Sequence, residues 1–204
     1  MNNDTYFIEK TANGTNQVTL KSKLLEKRII FLDEEVCVDS VNRIISQLIL
    51  LSMQDNTKPV ILLINSPGGS IRDGLVLIDV IKSMPFTVKT VSLGIAASMA
   101  AVILAAGTKG NRYISENSWA MLHQPLIQNG LSSSSCSEVE QVAKTLIERK
   151  EMLNNMLSKL TGKDVATVSE ITSKDSYLNS KEALEFGLVD KIADEQTLYE
   201  LLGG

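Results

Sequence analysis

The stretch PVILLINSPGGSIRDGLVLIDVIKS, residues 59–83, joins a continuous apolar run, a sharp turn and an amphipathic segment. A run such as PVILLINS, with no polar alternation, suits a strand buried on both faces of a parallel sheet. Pro67-Gly68-Gly69 ends it, and the spacing predicts a helix from about Arg72 to Ser83. The pattern returns in FTVKTVSLG (86–94), with strand character, followed by ASMAAVILAAG (97–107), with helix character and Gly107 as its stop. Strand, glycine-containing turn and helix, repeated, means an α/β sheet with crossover connections. In such sheets ligands bind outside the carboxyl ends of the strands, where both glycine turns fall.

Working outward, RIIFL (28–32) reads as a strand, and Asp39 fits an N-cap ahead of Val41, Ile44, Ile45, Leu48 and Leu51, in a helix ending near Met53. Further strands are expected near Arg112–Ser115 and Trp119–Leu122. Residues 1–20 are polar, with an Asn13-Gly14 turn signal and short alternation around Val18 and Leu20, which predicts a mobile or hairpin-like segment. The serine cluster at 132–135 opens a helix, with Ser135 and Glu138 or Ser137 and Glu140 as its capping box. That helix runs to Leu160 before Gly162; at ~1.5 Å per residue it spans about 35 Å. Its stripe of Val139, Val142, Leu146, Leu153, Met156, Leu157 and Leu160 is interrupted by Glu148-Arg149-Lys150-Glu151. Plain core is one reading; an arm that packs on another subunit is preferred. No repeat of fixed period divides the chain, so residues 1–204 read as a single domain with an inserted helical arm.

Composition excludes several classes of function. The chain has 204 residues, 44% hydrophobic and 22% charged, enough apolar material for a core and too much for disorder. Only 4% is aromatic, and 20 basic against 24 acidic residues give a net charge of -4, so nucleic acid is disfavoured. MNNDTYFIEK lacks the basic head and apolar body of a secretory signal, which points to the cytoplasm. The longest apolar run, Met99 to Gly107, is half the roughly 18 residues a spanning helix needs, so no membrane insertion is expected. Cys37 and Cys136 lie far apart beside a lone histidine, which argues against structural zinc and for reduced thiols; no metal is expected.

Ser98 falls at the turn from the second strand into the second helix. A helix N-terminus favours negative charge, which suits a serine becoming an alkoxide, and Gly94, Ala96, Ala97 and Ala100 keep bulk away from it. Serine is also a common N-cap for structural reasons alone. His123, the only histidine, ends the strand WAMLH; imidazole can take the proton that makes a serine nucleophilic, or can simply be a hydrogen-bonded core group. SPGGS (66–70) could present N–H groups to an anion or be only a tight connection. It lacks the GxxxxGK[ST] of a nucleotide loop.

NSPGGSI (65–71), GIAASMAAVILAAGTKG (94–110), MLHQPL (121–126) and KDSYLNSKEALEFGLVD (174–190) together resemble, in order and spacing, the signature blocks of ClpP, the proteolytic subunit of the ATP-dependent Clp proteases. The resemblance covers nearly the whole chain from RIIFL onward. It implies a crotonase-like fold of β/α repeats with a projecting helical handle over about 127–162 and an N-terminal axial segment over about 1–20. The implied assembly is two stacked seven-membered rings around a closed chamber.

Carried over by position, the resemblance implies Ser98 as nucleophile, His123 as general base and then acid, and Asp175 as the carboxylate that orients the imidazole. It implies the N–H groups of Gly68 and Met99 as the oxyanion hole. Gly69 and Ile71 on one side, and Gln124, Pro125 and Leu126 on the other, would hold the substrate backbone as an added strand. The activity so implied is a serine endopeptidase that cuts unfolded polypeptide without a bound cofactor, ATP being used by an AAA+ Clp unfoldase. Ile61 and Leu63 stand where the family usually has tyrosines, Ile127-Gln128 where it has two glycines, and Ser173-Lys174 where it has Asp-Arg. These departures motivate an alternative: a poorly active or regulatory subunit that needs a second ClpP paralogue in mixed rings. A crotonase-type acyl-CoA enzyme is a further rival, against which the Ser-His pair counts.

Overall fold

The computed structural model describes residues 6–11, 14–126 and 135–203. The polar N-terminal segment forms an antiparallel hairpin, β1 (Tyr6–Thr11) on β2 (Gly14–Thr19), and α1 (Leu20–Glu26) follows with Thr19 as its N-cap. Sequence reasoning gives no hint of α1, whose seven residues include none that are fully buried.

The α/β pattern is present as expected. β3 (Ile29–Leu32), β4 (Val60–Ser66) and β5 (Val88–Ala97) are parallel neighbours, joined by α2 (Val38–Gln54) and α3 (Ile71–Ser83). After α4 (Met99–Ala105) come β6 (Arg112–Ser115) and β7 (Trp119–Leu122). The long α5 (Cys136–Thr161) and α6 (Val165–Thr172) lead to β8 (Ser176–Asn179), α7 (Ser180–Phe186), β9 (Lys191–Ala193) and α8 (Glu195–Leu201). The sheet runs β3-β4-β5-β6-β9, with β7 pairing the far end of β5 and β8 pairing β7 antiparallel. Ile30, Leu62, Ile64, Leu77 and Ile103 belong to the larger core on one face; Ile29, Leu63, Val91 and Tyr113 belong to a smaller one on the other. Burial on both faces is why β4 reads as an unbroken apolar run.

Two local expectations are corrected. The N-cap of α2 is Cys37, whose backbone N–H is bonded to the Ser40 hydroxyl, and Asp39 sits inside the first turn. α4 ends on Ala106 with right-handed geometry, so Gly107 is not a left-handed stop; its missing side chain instead makes room for Thr90. α3 covers Ile71–Ser83 as expected, with Ser70 accepting the Asp73 N–H. Of the two capping boxes offered for α5, Ser135 and Glu138 form it, and Gly162 ends the helix at φ 81°.

α5 has 26 residues, about 39 Å at the usual rise. Its first buried side chain is Leu153; before that Val139, Ile147 and Met152 are exposed, as a projecting arm requires. The base of the arm is fixed by Arg112, 1% exposed, which donates to Ala105 O at the end of α4, to Leu160 O near the end of α5, and to both oxygens of Asp190 ahead of β9.

Candidate active site

β5 changes partners along its length, and that brings the site together. Thr90–Ser92 pair with β6, and Ile95–Ala97 pair with β7. The switch falls at Gly94, at φ 97°, where the Gly94 N–H bonds the Ser118 hydroxyl and the next N–H bonds Asn65 Oδ1. Ala97 is thereby in register with Met121, and one residue further on the Ser98 N–H donates to Met121 O at 2.8 Å. Positions 98 and 123 are then neighbours although 25 residues separate them.

Ser98 has φ 54° and ψ -122°, a conformation that a non-glycine residue adopts only under strain. Its side chain makes no cap bond to α4, so the structural alternative for this serine fails. The hydroxyl lies instead 2.8 Å from His123 Nε2.

The acid arrives by a strand that sequence reasoning did not find. β8 runs antiparallel to β7 with Leu122 opposite Ser176, which carries the preceding residue, Asp175, to the level of His123. Asp175 Oδ1 is 3.3 Å from Nδ1, within ion-pair distance. The contact is not aligned as a hydrogen bond, and buried Nδ1 has no other partner among the described residues. The imidazole is 15% exposed and the carboxylate 65%, so the acid lies at the rim of the site. Gln124, next to the histidine, donates from its side chain to Ser173 O at 3.2 Å and braces the turn that carries Asp175.

Gly68 closes the other side. A Cβ there would lie 2.5 Å from Ala97 O, 2.8 Å from Ser98 Cβ and 3.0 Å from Met99 N, and its φ is 88°, so only glycine lets this backbone meet the start of α4. Met99 follows Ser98 as the first residue of α4, where the backbone N–H has no intrahelical acceptor. Gly69, Ile71, Gln124, Pro125 and Leu126 line the same cleft of about 770 Å³ as Ser98 and His123. Ile127 and Gln128 lie outside the described residues. Among the described residues no group of three His, Cys, Asp or Glu could hold a metal ion, and no helix is long and apolar enough to cross a membrane.

A strained serine at a strand-to-helix turn, bonded to a histidine with a carboxylate behind it, defines the class of serine hydrolases on an α/β sheet. A family model described as Clp protease matches residues 12–196. The ATP-dependent Clp protease proteolytic subunit 1 of Prochlorococcus marinus (strain MIT 9312) is 41% identical over 189 residues, 93% of this chain and 95% of that protein. Subunit 1 of Synechococcus sp. (strain CC9902) is 40% identical over 93% of this chain and 94% of that protein. Subunit 2 of Parasynechococcus marenigrum (strain WH8102) is 40% identical over 94% of this chain and 95% of that protein. The chain belongs to the Clp protease family and is a serine-type endopeptidase.

Proposed function

We propose that Ser98 is the nucleophile of this peptidase, His123 its general base and then acid, and Asp175 the group that orients and stabilises the imidazolium. The observation that carries this is the 2.8 Å contact between Ser98 Oγ and His123 Nε2, on a serine whose hydroxyl does not cap its helix. Ser98 Oγ attacks the scissile carbonyl carbon while its proton passes to Nε2. The tetrahedral oxyanion takes the N–H groups of Gly68 and Met99. Its collapse expels the amine, which receives the proton from Nε2, and water then hydrolyses the acyl-enzyme by the same route. Met99's side chain is 2% exposed and packs on Gly74, so what Met99 offers is its backbone.

The substrate lies as an added strand between Gly69 and Ile71 on one side and Gln124, Pro125 and Leu126 on the other. Val36 bonds Gly68 O and the Ser70 N–H, an arrangement that turns the polar groups of Gly69 away from Val36 and supports this pairing. No cofactor enters these steps. The substrates are unfolded polypeptides, admitted to a cytoplasmic chamber of two stacked heptamers by an AAA+ Clp unfoldase that uses ATP. The exposed apolar residues of α5 support burial against further copies of the chain. The relatives are named proteolytic subunits, which supports a catalytic subunit over a regulatory one dependent on a second paralogue.

The test is labelling of the purified protein by a fluorophosphonate probe, with casein digestion measured in parallel, with and without unfoldase and ATP. Labelling at Ser98 and casein cleavage are expected. Casein cleavage that survives Ser98→Ala sinks the assignment.

A further inference from the structure

Ser66 ends β4, two residues before Gly68, and is 0% exposed. Its hydroxyl donates to Glu34 O at 2.5 Å and accepts the Gly68 N–H at 3.2 Å. The Val36 N–H bonds Gly68 O at 2.8 Å, and the Ser70 N–H bonds Val36 O at 2.7 Å, so the whole turn is latched to the segment after β3. The two donors assigned to the oxyanion are therefore unequal in the free chain. The Met99 N–H, at the start of α4, has no acceptor within its helix, whereas the Gly68 N–H already has one.

The competition for that N–H depends on charge. A substrate carbonyl and a serine hydroxyl are both neutral acceptors, while hydrogen bonds to an anionic oxygen are roughly twice as strong. At 3.2 Å the Ser66 bond is at the long end of the range, held by position rather than by strength. We propose that Ser66 is a positioning residue that withholds the Gly68 N–H from the neutral substrate and yields it to the tetrahedral oxyanion. An interaction gained only in the transition state raises kcat, whereas one made equally with the ground state only lowers KM. Ser66 thus keeps the neutral ground state from using this donor, at the expense of one neutral hydrogen bond that the oxyanion must displace.

The proposal rests on Ser98 and Gly68 having the roles given above, and a peptide aldehyde separates the two questions. Ser98 Oγ adds to the aldehyde carbon, the C=O electron pair moves to oxygen, and the serine proton passes to His123, giving a reversible hemiacetal with the geometry of the intermediate. The inhibition constant of the aldehyde, and kcat and KM for a fluorogenic peptide, are measured on the full-length protein and on Ser66→Ala. Removing the Ser66 acceptor frees the N–H for ground state and adduct alike. The aldehyde then binds about 3–10-fold tighter, KM falls by a similar factor and kcat moves less than KM, as expected for one neutral hydrogen bond. Ser66→Thr, which keeps the hydroxyl, returns these values toward those of the unaltered protein. Should Ser66→Ala not fold, Ser66→Cys, with a weaker acceptor of similar shape, shifts the constants in the same direction. Unchanged or weaker aldehyde binding in the folded variant, with normal Ser98-dependent binding in the parent, overturns the role of Ser66 alone. Absence of Ser98-dependent binding in the parent overturns the active-site reading and this proposal with it.

Discussion

Ser98 is tied through its backbone N–H to the carbonyl of Met121, 2.8 Å away, and this single bond carries the β5–β7 pairing one residue past Ala97 into the start of α4. The serine is held in its strained conformation, φ 54°, by the sheet that also delivers His123. On the proposed assignment strain and reactivity reside in one residue, and substitutions separate them. Ser98→Ala removes the nucleophile and keeps the strain; Ser98→Gly removes both. Each is expected to lower peptide hydrolysis by about 10⁴–10⁶, as removal of a nucleophile does in other serine peptidases. Thermal denaturation should tell the two apart, with Ser98→Gly melting roughly 2–4 °C above Ser98→Ala, as for about 1 kcal/mol in a chain of this size. Equal melting points would show that the strain is not relieved at this position.

Gly68 gives the complementary prediction. A methyl group there meets Ala97 O at 2.5 Å and Ser98 Cβ at 2.8 Å, and the backbone is at φ 88°. Gly68→Ala is therefore expected to cost about 1–3 kcal/mol from the backbone conformation alone and to push the turn away from the serine. Fluorophosphonate labelling of the folded fraction should slow by on the order of 10² to 10³, the usual effect of losing one oxyanion donor. Labelling at the parent rate would place the oxyanion site elsewhere.

How much of this was legible from sequence follows from which forces act locally. The strands β3 to β5 are apolar runs because they are buried on both faces, and burial writes itself into composition. Ser98 and His123 stood out as a turn serine and a lone histidine, yet their meeting depends on the pairing of Ala97 with Met121, which no local pattern encodes. Asp175 was illegible except by resemblance. β8 has four residues of which only Leu178 is buried, and an exposed carboxylate has the same composition signal as any surface acid. In sequence Ser66 is only the first residue of a turn motif; its two hydrogen bonds, one of them to Glu34, are visible only in three dimensions. Asp39 resembles a cap in sequence because aspartate is favoured over cysteine at that position, while the hydroxyl that completes the cap comes from Ser40.

Asp175 differs from the acid of a tightly buried triad. Its side chain is 65% exposed and its 3.3 Å contact with Nδ1 is not aligned. Asp175→Asn should accordingly lower kcat by on the order of 10², less than the 10⁴ seen where the acid is buried and aligned, with KM little changed. Salt provides an independent measure. At about 1 M ionic strength the screening length is roughly 3 Å, so the kcat of the parent should fall toward that of Asp175→Asn while the variant itself barely responds. A salt response of equal size in both proteins would mean that the Asp175 charge does not act on His123.

The buried pair at the base of the handle contributes to the acid stability of the fold. Arg112 is 1% exposed and bonds both oxygens of Asp190, whose side chain is 10% exposed. Burial alone would raise the Asp190 pKa; the bonds and charge of Arg112, with the backbone N–H groups of Arg112 and Gly110, more than offset it and lower the pKa to about 2, from 3.8. A carboxylate held below its unfolded value contributes stability that is complete above the unfolded pKa and is lost as pH falls through the folded one. A shift of this size corresponds to on the order of 2 kcal/mol, which drains between about pH 5 and pH 2. Asp190→Asn removes that titration and leaves Arg112 buried without its counter-ion, at a cost of about 3–5 kcal/mol near neutral pH. Denaturant unfolding from neutral to acid pH should therefore show the parent losing about 2 kcal/mol more than the variant. Parallel pH profiles for the two proteins would refute the linkage, and a neutral-pH difference below about 1 kcal/mol would show that Arg112 finds compensation from the carbonyls of Ala105 and Leu160.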